Sequence, residues 1–419
     1  MRDKTKQNKS SSKVGANDKI RVGFIGVANR GTQVMNGFLR QPDMEVAAIC
    51  DVYKPTLEKM KAKLGGKVNT YADFRKMLEQ KDLDAVVVAT PDHWHAIQTI
   101  DACNAGKDVY VEKPVSATIY EGRRMVEVAR RTKRVVTVGL HRRSVKIYAD
   151  AGKFVQDGNI GKVTVCRCYH RSNMYPNGIG KCKSVAPPAG LDWDMWLGPR
   201  QDRPFQENIA PYKFRWWNKY SSQIANNGIH FLDAIRWINN EKAPSAVCGI
   251  GGRYAVDDDR TIPDTAEITF EFPSGHLVVL GTYEANGNRT MARGGYFEVR
   301  GTLGSMYCTD RYYEIVPERG GQFQDSKPRM EAQKFAGEGG NSNATADHAR
   351  NFLDCIRSRK KPNCDIEEGH RSTTMANLAN LSLSLRSRLN WDAENERVTN
   401  NEEANKHLHY EYRKPWKLG

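Results

Sequence analysis

Between Ile20 and about Asp157 the chain repeats one pattern: a short β-branched, apolar run followed by a longer stretch of helical periodicity. The runs are IRVGFIG, EVAAICD, DAVVVAT, DVYVEK and RVVTVGL. Each is nearly continuously apolar, as expected of a parallel strand buried on both faces, and parallel neighbours require helical crossovers. This part of the chain therefore reads as a doubly wound parallel sheet of the α/β class. Thr118 and Glu121 form a capping-box pattern that starts a helix running through Arg130.

After Gly161 the rhythm changes. VTVCRCYH leads into a stretch rich in Pro, Gly and Trp, from about 173 to 222, and then into one apolar helix, Ala225 to Ile238. SAVCGIGG, AEITFEF, HLVVLGTYEA, YFEVRG, SMYCTD and YYEIVP follow as alternating strands in succession, which makes an antiparallel sheet and an α+β second half. Helical stretches return at Ala344 to Arg357 and Glu367 to Leu389. A chain of 419 residues exceeds a single core. The expected division is a disordered basic leader, 1–19, a nucleotide-binding domain, 20–157, a substrate-binding domain, 158–391, and a tail, 392–419, packing back on the protein.

The formal net charge is +15, a surplus that suits an anionic partner. Position dilutes it: residues 1 to 21 hold Arg2, Lys4, Lys6, Lys9, Lys13, Lys19 and Arg21 against Asp3 and Asp18, and more of the excess falls on the helices between 121 and 146. Neither place carries a nucleic-acid motif, so no nucleic-acid partner is expected. No apolar run approaches the ~20 residues of a membrane span. The leader has no apolar core of a secretory signal, so the chain as it stands reads as cytoplasmic. Nine scattered cysteines without a CxxC read as reduced thiols.

The first strand ends in GFIGVANRGTQ, which puts Gly26, Ala28 and Gly31 at the three places of a GxGxxG fingerprint. There the first position permits a tight turn, the second lets backbone approach a pyrophosphate, and the third lets the helix pack close, with Asn29 and Arg30 inside the loop. Asp51 closes the second strand, where a carboxylate accepts hydrogen bonds from ribose hydroxyls and repels a 2′-phosphate. The cofactor expected is NAD, with NADP disfavoured. Thr90, Pro91 and His95 follow the strand DAVVVAT, and Glu112 and Lys113 end the strand DVYVEK, all at carboxyl ends where open α/β sheets bind ligands. His93 and His95 lie two apart without acidic or cysteine partners at ligand spacing, so no metal site is expected.

In ANNGIHFLDAIRWI the apolar residues surround the helix, which is therefore buried. Asn226, His230 and Asp233, at spacings of four and three, share one face, and His230 is either a core histidine held by Asp233 or a reacting group. Trp193, Trp196, Trp216 and Trp217 crowd the middle segment with Tyr212, Arg215 and Tyr220; such rings either stack on sugar faces or pin a long loop. His141, Arg142 and Arg143 follow the last parallel strand and either line the same pocket or begin a solvated helix.

Taken together, VGFIGVANRG, CDVYKP, VVVATPDHWHA, VEKPVSAT, NGIHFLDAIRW and YRKPW resemble the glucose-fructose oxidoreductase / inositol dehydrogenase / MocA (Gfo/Idh/MocA) family over nearly the whole chain. The resemblance implies an N-terminal Rossmann domain and a C-terminal α+β domain with a large, mostly antiparallel open sheet, which often forms the interface of a dimer or tetramer. It also resembles a bacterial subgroup whose members often bear export signals, which makes the periplasm the alternative compartment. It implies that Lys113 sits beside the nicotinamide and that His230 is the catalytic histidine; Asn226 stands where many members have aspartate, and an amide in that place lowers the titration of His230. The implied reaction oxidises a secondary hydroxyl of a sugar, sugar derivative or cyclic polyol, with Lys113, His230 and Asn226 catalytic and with His141, Arg142, Trp216, Trp217, Asn226 and Asp233 against the substrate. Two alternatives stand beside it: a glycoside-cleaving or keto-sugar-processing enzyme with tightly bound NAD, similar to glycoside hydrolase family 109, and a non-enzymatic NAD or sugar sensor.

Overall fold

A computed structural model describes residues 19–291, 293–337 and 343–419. The expected disordered leader therefore lies outside the described residues except for Lys19. The first sheet is built from β1 (Ile20–Ile25), β2 (Met44–Cys50), β3 (Asn69–Tyr71), β4 (Ala85–Val88), β5 (Asp108–Val111) and β6 (Val136–Val138). All pairs are parallel, in the order β3-β2-β1-β4-β5-β6. The strand order reverses between β1 and β4, which opens a crevice at their carboxyl ends. Strand β3 adds one member to the five runs read from the sequence. It is three residues at the sheet edge, with Asn69 exposed, and so lacks the apolar signature of its buried neighbours.

Helices α1 (Asn29–Phe38), α2 (Lys54–Lys63), α3 (Phe74–Leu78), α4 (His95–Asn104) and α5 (Ile119–Arg131) make the crossovers. The capping box of α5 is formed from both sides: the Glu121 amide donates to Thr118 Oγ1, and the Glu121 carboxylate accepts from the Thr118 amide at 2.9 Å. Such a box stabilises a helix start by about 1 kcal/mol.

After α6 (Lys146–Gln156) the chain enters the second sheet with β7 (Val163–Arg171). An excursion carrying α7 (Trp193–Leu197) and α8 (Ile229–Ile238) follows, then β8 (Ala246–Gly252), β9 (Thr265–Phe272), β10 (His276–Tyr283), β11 (Phe297–Gly301), β12 (Gly304–Cys308), β13 (Tyr312–Pro317) and β14 (Gln333–Ala336). With β15 (Leu389–Asp392) and β16 (Arg397–Val398) the order is β14-β13-β12-β11-β7-β10-β9-β8-β15-β16. The β7–β10 pair is parallel and the others antiparallel, because the long excursion returns β10 alongside β7 instead of folding back through a hairpin. Along β9 buried Ala266, Ile268, Phe270 and Phe272 alternate with more exposed Thr265, Glu267, Thr269 and Glu271, so one face is core and the other is open.

Two later segments reach back to the first sheet. Helix α9 (Ala344–Ser358) places Ala349, Phe352 and Leu353 in one core with Phe24, Phe38 and Tyr110. Past α10 (Ile366–Leu385) and α11 (Glu402–Lys406), the tail docks on the half that carries the first sheet: the Trp416 ring meets Trp94 edge-on at 4.7 Å, and the Tyr412 hydroxyl donates to Glu121. The excursion is pinned by a core of its own, Ile179, Trp196, Phe205, Phe214, Trp217 and Tyr220. Fully buried Arg260 donates to Asp258 at 2.9 Å and to Glu284 at 2.7 Å, and the same two carboxylates accept from the excursion's Ile179 amide and Trp216 indole, which ties it to the second sheet.

Candidate active site

The crevice at the strand reversal is a cleft of about 1100 Å³ that reaches from the β1–α1 turn to Lys113 and Asn226. Gly26 has φ +82°, and a Cβ there would lie 2.8 Å from the Ala89 carbonyl oxygen. At Gly31 a Cβ would lie 1.9 Å from the Gly26 carbonyl oxygen, so the helix approaches the turn at a distance that only glycine permits. Gly31 itself is buried behind the loop; Gly26, Ala28, Asn29 and Arg30 face the cleft. Ala28 has φ −79° and ψ 173°, extended backbone that any residue adopts, and its methyl group causes no strain.

Asp51 lies at the end of β2, where its carboxylate accepts from the Val27 and Tyr53 amides, each at 3.0 Å. Burial pushes its pKa up while the amides oppose that shift. These bonds fix the carboxylate at the rim of the cleft, clear of Lys54, whose ammonium is exposed and 3.7 Å from Glu58. Glycine turn, helix N-terminus and rim carboxylate together fit an NAD moiety: backbone amides for the pyrophosphate and an acceptor for the ribose.

Deeper in the cleft Thr90 donates to Gln98 Oε1 at 2.7 Å, next to Pro91. The His95 ring spans two carbonyl oxygens, Pro114 at 2.7 Å and Thr90 at 2.9 Å, and so clamps the β4 end to the β5 end. His93 and Trp94 both contact the Trp196 carbonyl, at 2.9 and 3.0 Å, which makes them anchors for the excursion. Glu112, expected to meet the cofactor, lines the cleft and is bound there to Arg30 Nε at 2.8 Å, so its carboxylate positions that arginine.

Lys113 Nζ donates to the Asn226 carbonyl at 2.5 Å and to Asn226 Oδ1 at 3.0 Å, and Arg215 Nε donates to the same Oδ1 at 3.2 Å. Burial pushes the Lys113 pKa down to about 8; Glu112 and Asp92 resist the shift and the Arg215 and Arg30 charges add to it. Residues Ile224–Gly228, Asn226 among them, form one π-helical turn ahead of α8. Burial pushes His230 well below the usual histidine range, with Lys113, His141, Arg142 and Arg30 adding positive charge. Its Nδ1 is buried and, among the described residues, without a hydrogen-bond partner; its ring lies 5.2 Å from that of His141.

Several residues expected at the substrate lie elsewhere. Asp233 neither holds His230 nor faces the cleft: it is buried against Arg143 Nε at 3.0 Å and accepts from Ser372 at 2.7 Å, because the arginine provides the charge that a buried carboxylate needs. Trp217 is a core residue of the excursion, with Nε1 donating to the Asn208 carbonyl at 2.7 Å. Trp216 is half-buried and donates to Glu284 at 2.9 Å, outside the cleft lining. Arg142 stacks its guanidinium on Phe231 at 4.7 Å and on Tyr296 at 5.0 Å, and His141 is buried beside Arg30 at 3.4 Å, so neither lines the cleft. The tryptophan segment does reach the site, through Trp196, Tyr212, Phe214 and Arg215. Arg215, already visible among those aromatics, and Asp92 in TPDHWHA are the two charged groups that the residue-by-residue reading left out of the site.

Three family models match the chain. An "oxidoreductase family, NAD-binding Rossmann fold" model matches residues 20–140, a "GFO/IDH/MocA C-terminal domain" matches 198–307, and an "oxidoreductase family, C-terminal alpha/beta domain" matches 341–418. Among similar proteins, a glycosyl hydrolase family 109 protein of Shewanella sp. (strain W3-18-1) is 34% identical over 125 residues, covering 28% of this chain and 27% of that protein. One from Shewanella putrefaciens (strain CN-32 / ATCC BAA-453) is 34% identical over the same length and coverage. The matched stretch thus spans about a quarter of the length of these relatives. Among solved structures, a levoglucosan dehydrogenase in complex with NADH and levoglucosan superposes with TM-score 0.68 at 17% identity, covering 89% of this chain and 99% of that one. An aldose-aldose oxidoreductase from Caulobacter crescentus complexed with glycerol superposes with TM-score 0.64 at 18% identity and the same coverage, a likeness of fold.

Proposed function

The chain belongs to the Gfo/Idh/MocA family of oxidoreductases, and from that premise we propose that it is an NAD-dependent oxidoreductase acting on a secondary hydroxyl of a sugar, sugar derivative or cyclic polyol. The observation that carries this reading is the continuity of one cleft from the Gly26 turn and Asp51 to Lys113 and Asn226. NAD, when bound, accepts the hydride. The nucleotide would lie along Gly26, Ala28, Asn29, Arg30 and Asp51 and past Thr90 and Pro91. Lys113, with a pKa of about 8, exists in both protonation states near neutral pH and is suited to exchange the hydroxyl proton and steady the developing alkoxide. His230, held neutral by burial, does not itself line the cleft; its unpartnered Nδ1 is the group that would hydrogen-bond the same hydroxyl. Asn226 fixes the ammonium by accepting from it with two oxygens.

The same reading treats residues 20–157 as the cofactor unit, 158–391 as the substrate unit and 392–419 as a returning tail. The open face of the second sheet supports a homo-oligomer, a dimer or tetramer. The cysteines, none of them paired among the described residues, support a reducing compartment such as the cytoplasm. No described helix is long and apolar enough to cross a membrane.

Purified protein mixed with NAD and a panel of sugars and polyols tests the proposal: NADH absorbance should rise with substrate, and absence of any rise across the panel counts against it. The stretch shared with glycosyl hydrolase family 109 proteins favours a second reading, in which NAD stays bound and a transient oxidation promotes glycoside cleavage. Release of an aryl alcohol from a glycoside without net NADH, together with deuterium uptake from solvent, selects that alternative.

A further inference from the structure

Two carboxylates lie within electrostatic reach of Lys113, Glu112 and Asp92. Glu112 is already bound to Arg30 at 2.8 Å. Asp92, almost wholly buried, has no salt bridge among the described residues; its one hydrogen-bond donor there is the Ser221 hydroxyl. A buried carboxylate without a bonded cation is costly unless neighbouring charge or protonation relieves it. Asn226 supplies Lys113 with oxygens but no negative charge. Asp92 is thus the uncommitted acid beside the lysine.

Its position between cavities gives it a route to solvent. Asp92 lines the cofactor cleft on one side and, on the other, a small cavity that it shares with Ser116, Arg200, Asn218 and Ser221. Ser221, Arg200 and Asn218 also line a wider cleft of about 1270 Å³ beneath the C-terminal tail. Asp92 and Ser221 therefore stand between the cleft that holds Lys113 and this second cleft.

Resting on the oxidoreductase reading, we propose that Asp92 is the proton partner of Lys113 and that the reaction proton leaves through Asp92 and Ser221 into this second cleft. As the substrate C–H bond breaks, the hydrogen leaves with its electron pair as hydride for NAD⁺, the O–H bond breaks, and the carbonyl double bond forms. The amine of Lys113 takes the hydroxyl proton and becomes ammonium. A water in the cleft takes one proton from Lys113 and gives one to the Asp92 carboxylate, which passes it to the Ser221 oxygen while the serine's own proton goes to water in the small cavity. Lys113 and Asp92 return to their starting states, and one proton and one NADH are released per hydroxyl oxidised.

The charged and titratable groups facing Asp92 are His95 from α4, Lys113 from the end of β5 and Arg215 from the excursion. Those facing Lys113 are Glu112, Asp92, Arg215, Arg30 and His230. Burial raises Asp92 and lowers Lys113, which brings donor and acceptor closer in proton affinity.

Trace acylation of the full chain with acetic anhydride, without added cofactor, followed at the Lys113 peptide by mass spectrometry across about pH 6 to 10, reads the pairing directly. In Asp92→Asn the loss of the nearby anion should lower the Lys113 midpoint, so that acylation at about pH 7 rises roughly threefold to tenfold. An unchanged profile overturns the pairing. Ser221→Ala tests the exit and remains available if Asp92→Asn does not fold. It should lower kcat by about tenfold and enlarge the solvent deuterium isotope effect on kcat, leaving KM and NAD affinity unchanged. Unchanged kcat and isotope effect overturn the route. If the parent chain reduces NAD with no sugar, the oxidoreductase reading fails, whereas the acylation profiles still decide whether Asp92 is paired with Lys113.

Discussion

The two ends of the cleft are made differently. The cofactor end comes from one β-turn-helix unit and the strand beside it, and its contacts are backbone contacts: the Gly26 carbonyl under Gly31, and the Val27 and Tyr53 amides on Asp51. The reacting end assembles side chains from remote segments, Lys113 after β5, Arg215 in the excursion and Asn226 in a π-helical turn. A backbone-built end tolerates little added volume and depends weakly on charge. An end built from side chains is set by which charges find partners, so its properties change with single polar substitutions.

Mutations that separate the two ends sharpen this contrast. The largest effect is expected at the reacting end: Lys113→Ala should lower kcat by about 10²- to 10⁴-fold with NAD affinity little changed, measured by steady-state NADH formation and calorimetric titration. Retained turnover would remove Lys113 from the reacting end. At the cofactor end Gly31→Ala forces a methyl group into the Gly26 carbonyl. The cost of such overpacking, about 1–3 kcal/mol, should appear as about a tenfold to hundredfold loss of NAD affinity.

Trp217→Ala separates the excursion's core from its working surface. It should cost about 3–5 kcal/mol in unfolding free energy by denaturant titration, whereas KM for the sugar in the folded fraction should stay within about twofold. A selective rise in KM would return Trp217 to the substrate. Acid should weaken the whole molecule through its buried neutral histidines. His93 is lowered to about 3 and His348 to about 4, chiefly by burial, below the ordinary value of 6.5. Folded values below the unfolded ones mean that this contribution is complete above about pH 6.5 and is lost as the pH falls toward the folded values. Each histidine then accounts for up to about 1.4 kcal/mol per pH unit, visible as a falling melting temperature between about pH 7 and 5. The smallest effect is expected for Ala28→Gly, which should change NAD affinity by less than about threefold because the backbone there is already extended and unstrained.

How much was legible follows the same division. The five buried strands, the α5 capping box, the glycine turn and Asp51 are written locally, since apolar runs, cap spacing and glycine positions act within a few residues of themselves. The edge strand β3 is not, because its short polar sequence carries no burial signal. Asp233 and Trp217 misled for a related reason: a buried aspartate beside a histidine looks like its partner until Arg143 and Ser372 are seen to hold it, and a tryptophan in a polar segment looks available until the Asn208 carbonyl takes its indole.

By itself the sequence determined the parallel α/β half, the strand-rich second half, the dinucleotide turn with its rim carboxylate, and the residue types available for proton transfer. The tertiary structure alone decided which of these meet. It set Asn226 on Lys113, brought Arg215 in from the excursion, bound Glu112 to Arg30, and left Asp92 between two cavities. The physical reason is that spacing constrains neighbours along one element, whereas the partner of a buried charge is chosen by the cost of leaving any charge in the interior unpaired, a sum over the whole fold.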